Sequence, residues 1–106
     1  MSKPHAFQLA YTIKPHKKIH ESQADAARYH MRHHMGWTPH ETIQTTLLGH
    51  IPLASGTNEQ KRNEARNVMR KQIKEAFKTL EVDHLISFTG SLMVNDLEDA
   101  IEVEIP

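Results

Sequence analysis

The sequence predicts a two-layer sandwich of the α+β or α/β class, with one mixed four-stranded sheet in the order β-α-β-α-β-β and both helices on one face. Four segments alternate apolar and polar residues with the period of a half-buried strand, and two longer segments carry one apolar stripe at helical spacing. Alternating strands bury only one face of a sheet, so both helical stripes should cover that face. The chain has 106 residues and no repeat or linker, which predicts a single domain over residues 1–106.

The first strand and the first helix are predicted from alternation and from end signals. The strand spans about residues 7–13 and ends at Pro15. The helix begins at Ser22, with Asp25 three residues later in a capping-box-like pattern, and Gly36 is a natural stop after it. The inner apolar residues are Phe7, Leu9, Tyr11 and Ile13 in the strand and Ala24, Ala27, Met31 and Met35 in the helix.

The second strand and the longer helix follow. Residues 42–51 alternate again, and Pro52 marks a strand end or an edge because it cannot donate a ladder hydrogen bond. Thr57 and Gln60 form a capping box that opens a helix over about residues 58–80. The inner residues are Ile43, Thr45, Leu47 and Ile51 in the strand and Ala65, Val68, Met69, Ile73, Ala76, Phe77 and Leu80 in the helix.

The last two strands are expected to form an antiparallel hairpin. They span residues 84–94 and 101–105, and a polar loop joins them. Their inner residues are Ile86, Phe88, Leu92, Val94, Ile101, Val103 and Ile105.

The outer face of the sheet should be uncovered and largely uncharged. Its polar side chains can bond across strands, so it can be either a solvated face or a homodimer surface. RNA-reading sheets need exposed aromatic rings, whereas the strand aromatics here point inward. The predicted outer residues are Gln8, Ala10, Thr12, Gln44, Thr46, Leu48, His50, Ser87, Thr89, Ser91, Glu102 and Glu104.

Composition excludes several classes of protein and directs attention to charge. The chain has no cysteine, which excludes disulfides, thiolate zinc sites and thiol catalysis. No apolar run approaches the roughly 20 residues of a membrane span, and the N-terminus lacks a signal-peptide core, so a cytoplasmic protein without membrane contact is expected. Lys and Arg (13) balance Asp and Glu (13), but six acids and no Lys or Arg follow from Asp83 onward. This asymmetry favours either an anionic partner or self-association as a homodimer.

A row of cations on the long helix is the main candidate for partner binding. Arg62, Arg66, Arg70 and Lys74 follow one another at i, i+4 spacing, where like charges repel. Arginine can bind two oxygens at once, so the row suits phosphates or an acidic protein surface. A solvated helix face, or a counter-surface for the acidic C-terminal hairpin, is the alternative interpretation.

A histidine pair is the second candidate site. His30 and His34 are one helical turn apart, and two neutral imidazoles at this spacing can begin a divalent-metal site, for example for zinc. Surface histidines or contacts between subunits are the alternative interpretation. The further ligands that the sequence offers are His20, Asp25, His40 and Glu41.

Together these patterns predict a small, non-catalytic binding or regulatory protein. It would engage nucleic acid or an acidic protein surface through the Arg62-to-Lys74 row, and could thereby block a larger assembly. The sequence holds no glycine-rich phosphate loop, G-x-S-x-G elbow or H-E-x-x-H pattern. The alternative is a metal-binding or acid–base enzyme or sensor centred on His30 and His34, and no cofactor other than such a metal is expected.

Overall fold

The computed structural model describes residues 3–40 and 46–106, which form an α+β fold with two helices and a five-stranded sheet. A single 3₁₀ turn at Lys18–His20 precedes the first helix. The elements in chain order are β1 (Lys3–Pro15), α1 (Glu21–His33), β2 (Thr38–Pro39), β3 (Thr46–Leu53), α2 (Asn58–Thr79), β4 (Ile86–Val94) and β5 (Ile101–Ile105).

The sheet corrects two details of the sequence prediction. Its strand order is β2-β3-β1-β4-β5, so it has five strands instead of four, and every neighbouring pair is antiparallel, so it is not mixed. The fifth strand, β2, has only two residues, too few for an alternating pattern. The chain reverses between β2 and β3, so β3 runs antiparallel to β1 and no parallel pair forms among the described strands. Each helical connection skips one strand, which is the split β-α-β arrangement of ferredoxin-like domains.

One face of the sheet is covered, as the alternation predicted. Inward side chains of β1, such as Leu9 (0% exposed), are buried, whereas their neighbours Gln8 and Ala10 are exposed. Buried residues of α1 and α2, including Met31 and Ile73, belong to the same core cluster as the inward residues of the strands. Both helices therefore pack on this inner face, and no helix in the described ranges lies over the outer face.

The predicted start of α2 is confirmed, and the predicted start of α1 is wrong. At α2 the capping box forms as expected, with the N–H of Gln60 donating to Thr57 Oγ1 at 3.1 Å and the N–H of Thr57 donating to Gln60 Oε1 at 3.0 Å. At α1 the N-cap is His20, and Ser22 lies inside the helix with its hydroxyl directed at a neighbouring side chain. The 3₁₀ turn starts the helical path early, so Ser22 comes too late to cap it. Asp25 instead pairs with Arg28 at 2.6 Å.

β3 runs to Leu53 and includes Pro52. The N–H of His40 donates to the carbonyl of Thr46, so the even-numbered residues of β3 direct their backbone groups toward the β2 side. Within the described residues, β2 pairs only with Leu47 and Leu48 of β3, so the nitrogen of Pro52 faces an unpaired stretch of this edge. The predicted strand positions Ile43, Gln44 and Thr45 lie outside the described residues.

Candidate functional site: the cationic face of α2

The predicted cationic row lies along the flank of α2 that borders the C-terminal hairpin. The capping box and the buried stripe fix the rotation of α2, because Ala65, Met69 and Ile73 must face the sheet. Side chains at i, i+4 spacing then stand about 6 Å apart along the helix axis. The row begins beside the loop that precedes β5 and runs toward the C-terminal end of α2.

Arg62 binds the chain's own backbone. Its Nη1 donates to the carbonyl of Asp99 at 2.5 Å and its Nη2 donates to the carbonyl of Ala100 at 3.2 Å. The planar fork of a guanidinium suits two oxygens at once. Arg62 therefore clamps the loop between β4 and β5 onto the helix.

Arg66 continues this contact along β5. Its Nε donates to the carbonyl of Glu102 at 3.2 Å, and its Nη1 donates to Asn63 Oδ1 at 3.4 Å. Among the described residues β5 pairs only with β4, and the bond from Arg66 shows that the carbonyl of Glu102 lies on its free edge. A cation placed on an edge carbonyl hinders the addition of another strand. The first half of the row thus meets the acidic hairpin through carbonyl oxygens.

The second half of the row is free of such contacts. Arg70 and Lys74 are exposed, and so are Lys71 and Lys78 beside them. None of these four side chains has a hydrogen bond or an ion pair to the residues that the structure describes. We call Arg70, Lys71, Lys74 and Lys78 the cationic patch. The sequence analysis named only two of its members, although Lys78 continues the i, i+4 row.

Two depressions are each lined by three or more members of the cationic patch. One, of about 340 Å³, is open and lies among the cations themselves, with Glu75 as its one acidic neighbour. The other, of about 240 Å³, lies between α2 and the end of β5. We call the second depression the α2–β5 pocket. Anions that approach the patch can therefore be surrounded by several cations rather than by one.

His30 and His34 lie close together as predicted, but no third metal ligand among the described residues lies with them. The ring centroids of His30 and His34 are 5.4 Å apart. Burial lowers the pKa of His30, and the neighbouring His34 lowers it further, so the neutral form that could bind a metal is favoured. Among residues 3–40 and 46–106, no three His, Asp or Glu side chains gather as metal ligands. Glu41, one of the further ligands that the sequence offered, lies outside these ranges.

The outer sheet face is largely as predicted. Gln8 stands between Leu48 and Met93 in one cross-strand row, and these two apolar side chains are 37% and 45% exposed. Thr46, which was expected to be exposed, is buried at 2%. The aromatic residues of the strands, for example Tyr11, lie on the covered face. The exposed face therefore lacks, in its described part, the rings that RNA-reading sheets use.

Comparison of the chain with known proteins found no match. No protein-family model, no curated protein and no solved structure matches the chain. Neither helix in the described part of the chain combines the length and the apolar composition needed to cross a bilayer. The function must therefore be argued from the site itself.

Proposed function

We propose that this chain is a small non-catalytic binding protein that engages an anionic macromolecule through the cationic patch of α2. It would act by occupying a surface of its partner, and could in this way block a larger assembly. The observation that carries the proposal is that four exposed cations on two turns of one helix have no partner within the described chain.

The energetics favour a partner for the patch. Neighbouring cations at i, i+4 repel by a few tenths of a kcal/mol per pair, as they do between Arg70 and Lys74 and between Lys74 and Lys78. Glu75 and Asp83, the acids that line the two depressions beside these cations, offset part of this cost. A phosphate or carboxylate partner would relieve the repulsion and could receive paired hydrogen bonds from Arg70. Arg62 and Arg66, by contrast, already donate to the chain's own carbonyls.

The test compares two double variants with the same change in charge. Arg70→Ala with Lys74→Ala removes two patch cations, and Lys17→Ala with Lys18→Ala removes two exposed cations near α1. The probes are a labelled DNA duplex and a labelled poly-glutamate peptide, each titrated at low and high salt. We expect the patch variant to lose about tenfold in affinity and the control variant less than about twofold, with a shallower salt dependence only for the patch variant.

Two results would contradict the proposal. One is that neither probe binds the wild-type chain at low salt. The other is that the two double variants lose affinity equally, since a general loss of charge would then explain the effect. Circular dichroism spectra of both variants serve to establish that each is folded.

We also propose that the chain forms a homodimer through the outer sheet face. The support is the row in which Leu48 and Met93 flank Gln8. These are two of the exposed large apolar side chains of the described residues, and they share one surface. Zero net charge near neutral pH favours association as well.

The alternative function, a metal or acid–base site at His30 and His34, has narrower support. The proximity of the two rings and the lowered pKa of His30 favour it. A closed zinc site needs four ligands, however, and this pair supplies two. A zinc titration monitored by calorimetry, with His30→Ala and His34→Ala as comparisons, tests it. An affinity for zinc that is unchanged from wild type in both variants would remove it.

A further inference from the structure

The α2–β5 pocket differs from the rest of the cationic surface because it has an apolar floor. Phe77, Ile105 and Pro106 supply its apolar lining, which we call the floor, between the C-terminal half of α2 and the end of β5. Phe77 and Ile105 present only their outermost atoms there, at 1% and 6% exposed, whereas Pro106 is exposed. Arg70, Lys74 and Lys78 stand around it. Apolar surface bordered mainly by cations suits an apolar anchor flanked by carboxylates.

We infer that this pocket binds an acidic segment of a partner protein, with one apolar side chain inserted and flanking carboxylates on the cations. This inference rests on the proposed function and specifies its partner. The volume of about 240 Å³ lies below the roughly 300 Å³ at which ligand pockets begin, so the pocket suits one side chain better than a whole small molecule. A single anchored side chain in a desolvated pocket is also how many protein segments are recognised.

The surrounding charges favour a protein segment over nucleic acid. Glu102 and Glu104 line the neighbouring depression together with Arg66 and Arg70, so the cations stand next to carboxylates. A uniform polyanion would be repelled by these acids, whereas a segment of mixed composition can avoid them. In a nucleic-acid duplex the bases are stacked inside the helix, so a duplex presents no protruding, flexible apolar side chain to the floor.

The pocket contains one acid of its own. Asp83 lies in its lining and is 3.6 Å from the ring of His84, which is largely exposed. A carboxylate accepts hydrogen bonds, so Asp83 can receive a backbone N–H of an inserted segment. Three cations against one acid leave the rim positive overall.

The experiment uses the full chain and three labelled probes. Two are short glutamate-rich peptides that differ only in a central residue, phenylalanine in one and alanine in the other. The third is a DNA duplex of similar charge. We expect the phenylalanine peptide to bind about tenfold more tightly than the alanine peptide, because only the larger side chain fills the floor. The methyl resonance of Ile105 should shift with the first peptide and not with the second.

A charge variant with a matched control completes the test. Lys78→Glu should weaken both peptides, whereas Lys17→Glu, the same change at a distant exposed lysine, should leave them within about twofold of wild type. Equal affinity for the two peptides would overturn the pocket while leaving the proposed function intact. Binding of the duplex alone would have the same consequence. Failure of all three probes at low salt would overturn both proposals.

Discussion

Replacing Arg62 with alanine should destabilise the fold, whereas replacing Arg70 should not, although the two residues belong to the same row. Arg62 donates to two carbonyls of the segment that precedes β5, at 2.5 and 3.2 Å. Arg70 has no such bond within the described residues. The two substitutions remove the same side chain from the same helix, so differences in helix propensity cancel.

The magnitude follows from the contacts. A hydrogen bond to a charged group contributes about 1.5–3 kcal/mol net to the free energy of unfolding. These carbonyls can bind water after the substitution, so each bond should contribute about 1.5 kcal/mol or less. Arg62 also lies near the positive end of the dipole of α2, and its removal recovers about 0.3 kcal/mol. We therefore expect Arg62→Ala to cost about 1–2 kcal/mol, and Arg70→Ala to stay within about 0.5 kcal/mol of wild type.

Urea unfolding followed by circular dichroism measures this difference, provided the slopes with denaturant agree. Thermal unfolding should show a Tm lowered by about 5 °C or more for Arg62→Ala in a chain of this size. Arg62→Lys should fall between the two, because an ammonium is a point charge and not a planar fork. If Arg62→Ala and Arg70→Ala are equally stable, the clamp on the β4–β5 loop contributes nothing and the reasoning is refuted.

Three further perturbations test other parts of the structure. Gly49→Ala should cost about 1–3 kcal/mol in urea unfolding, because a Cβ would lie 2.8 and 2.9 Å from two aromatic side chains; a neutral result would show that they move aside. Because the pKa of His30 is lowered in the folded chain, the unfolded state binds a proton at this residue at higher pH than the folded state does. The free energy of unfolding should therefore fall as the pH drops through about 6.5. His30→Gln should reduce the difference in unfolding free energy between pH 7 and pH 5.5. If the proposed homodimer forms, Leu48→Glu with Met93→Glu should convert it to a monomer in light scattering, and a wild-type chain that is monomeric at all concentrations would contradict the proposal.

Most strands and the start of α2 were predictable because their signals are local. Alternation marked β1, β4 and β5, since each buries one side of a pleated strand under the same layer. The capping box at Thr57 and Gln60 marked the start of α2 at the correct residue. Both signals depend only on residues within a few positions of one another.

The order of the strands was not predictable in the same way. Each helix could join neighbouring strands or skip one, and both choices bury the same stripes. β2 adds an antiparallel hairpin that changes the direction of β3 relative to β1, yet it contains only Thr38 and Pro39. A two-residue strand has no period, and its existence depends on the position of β3.

At the candidate site, too, the local arrangement of the side chains was predictable, whereas their tertiary contacts were not. The i, i+4 spacing placed Arg62, Arg66, Arg70 and Lys74 in one row, which the structure reproduces. The spacing does not reveal that β5 and the loop before it lie against the first half of that row. As a result, sequence reasoning treated the four cations as equivalent, whereas two of them bind backbone carbonyls. It also considered the carboxylates of the hairpin as partners and overlooked its main-chain oxygens.

The difference between the bound and the free half of the row bears on how the cationic patch could work. Arg62 and Arg66 hold β5 and its preceding loop against α2, and Ile105 at the end of β5 supplies part of the floor of the α2–β5 pocket. The bound half of the row therefore positions one wall of the pocket that the free half surrounds. Because the fold already fixes that wall, binding a partner costs no conformational entropy to order it. Only the long side chains of the patch lose conformational freedom on binding. If all four cations of the row were free, this preformed wall would be absent. The row would then attract anions in general and would not distinguish partners that carry an apolar anchor from those that do not.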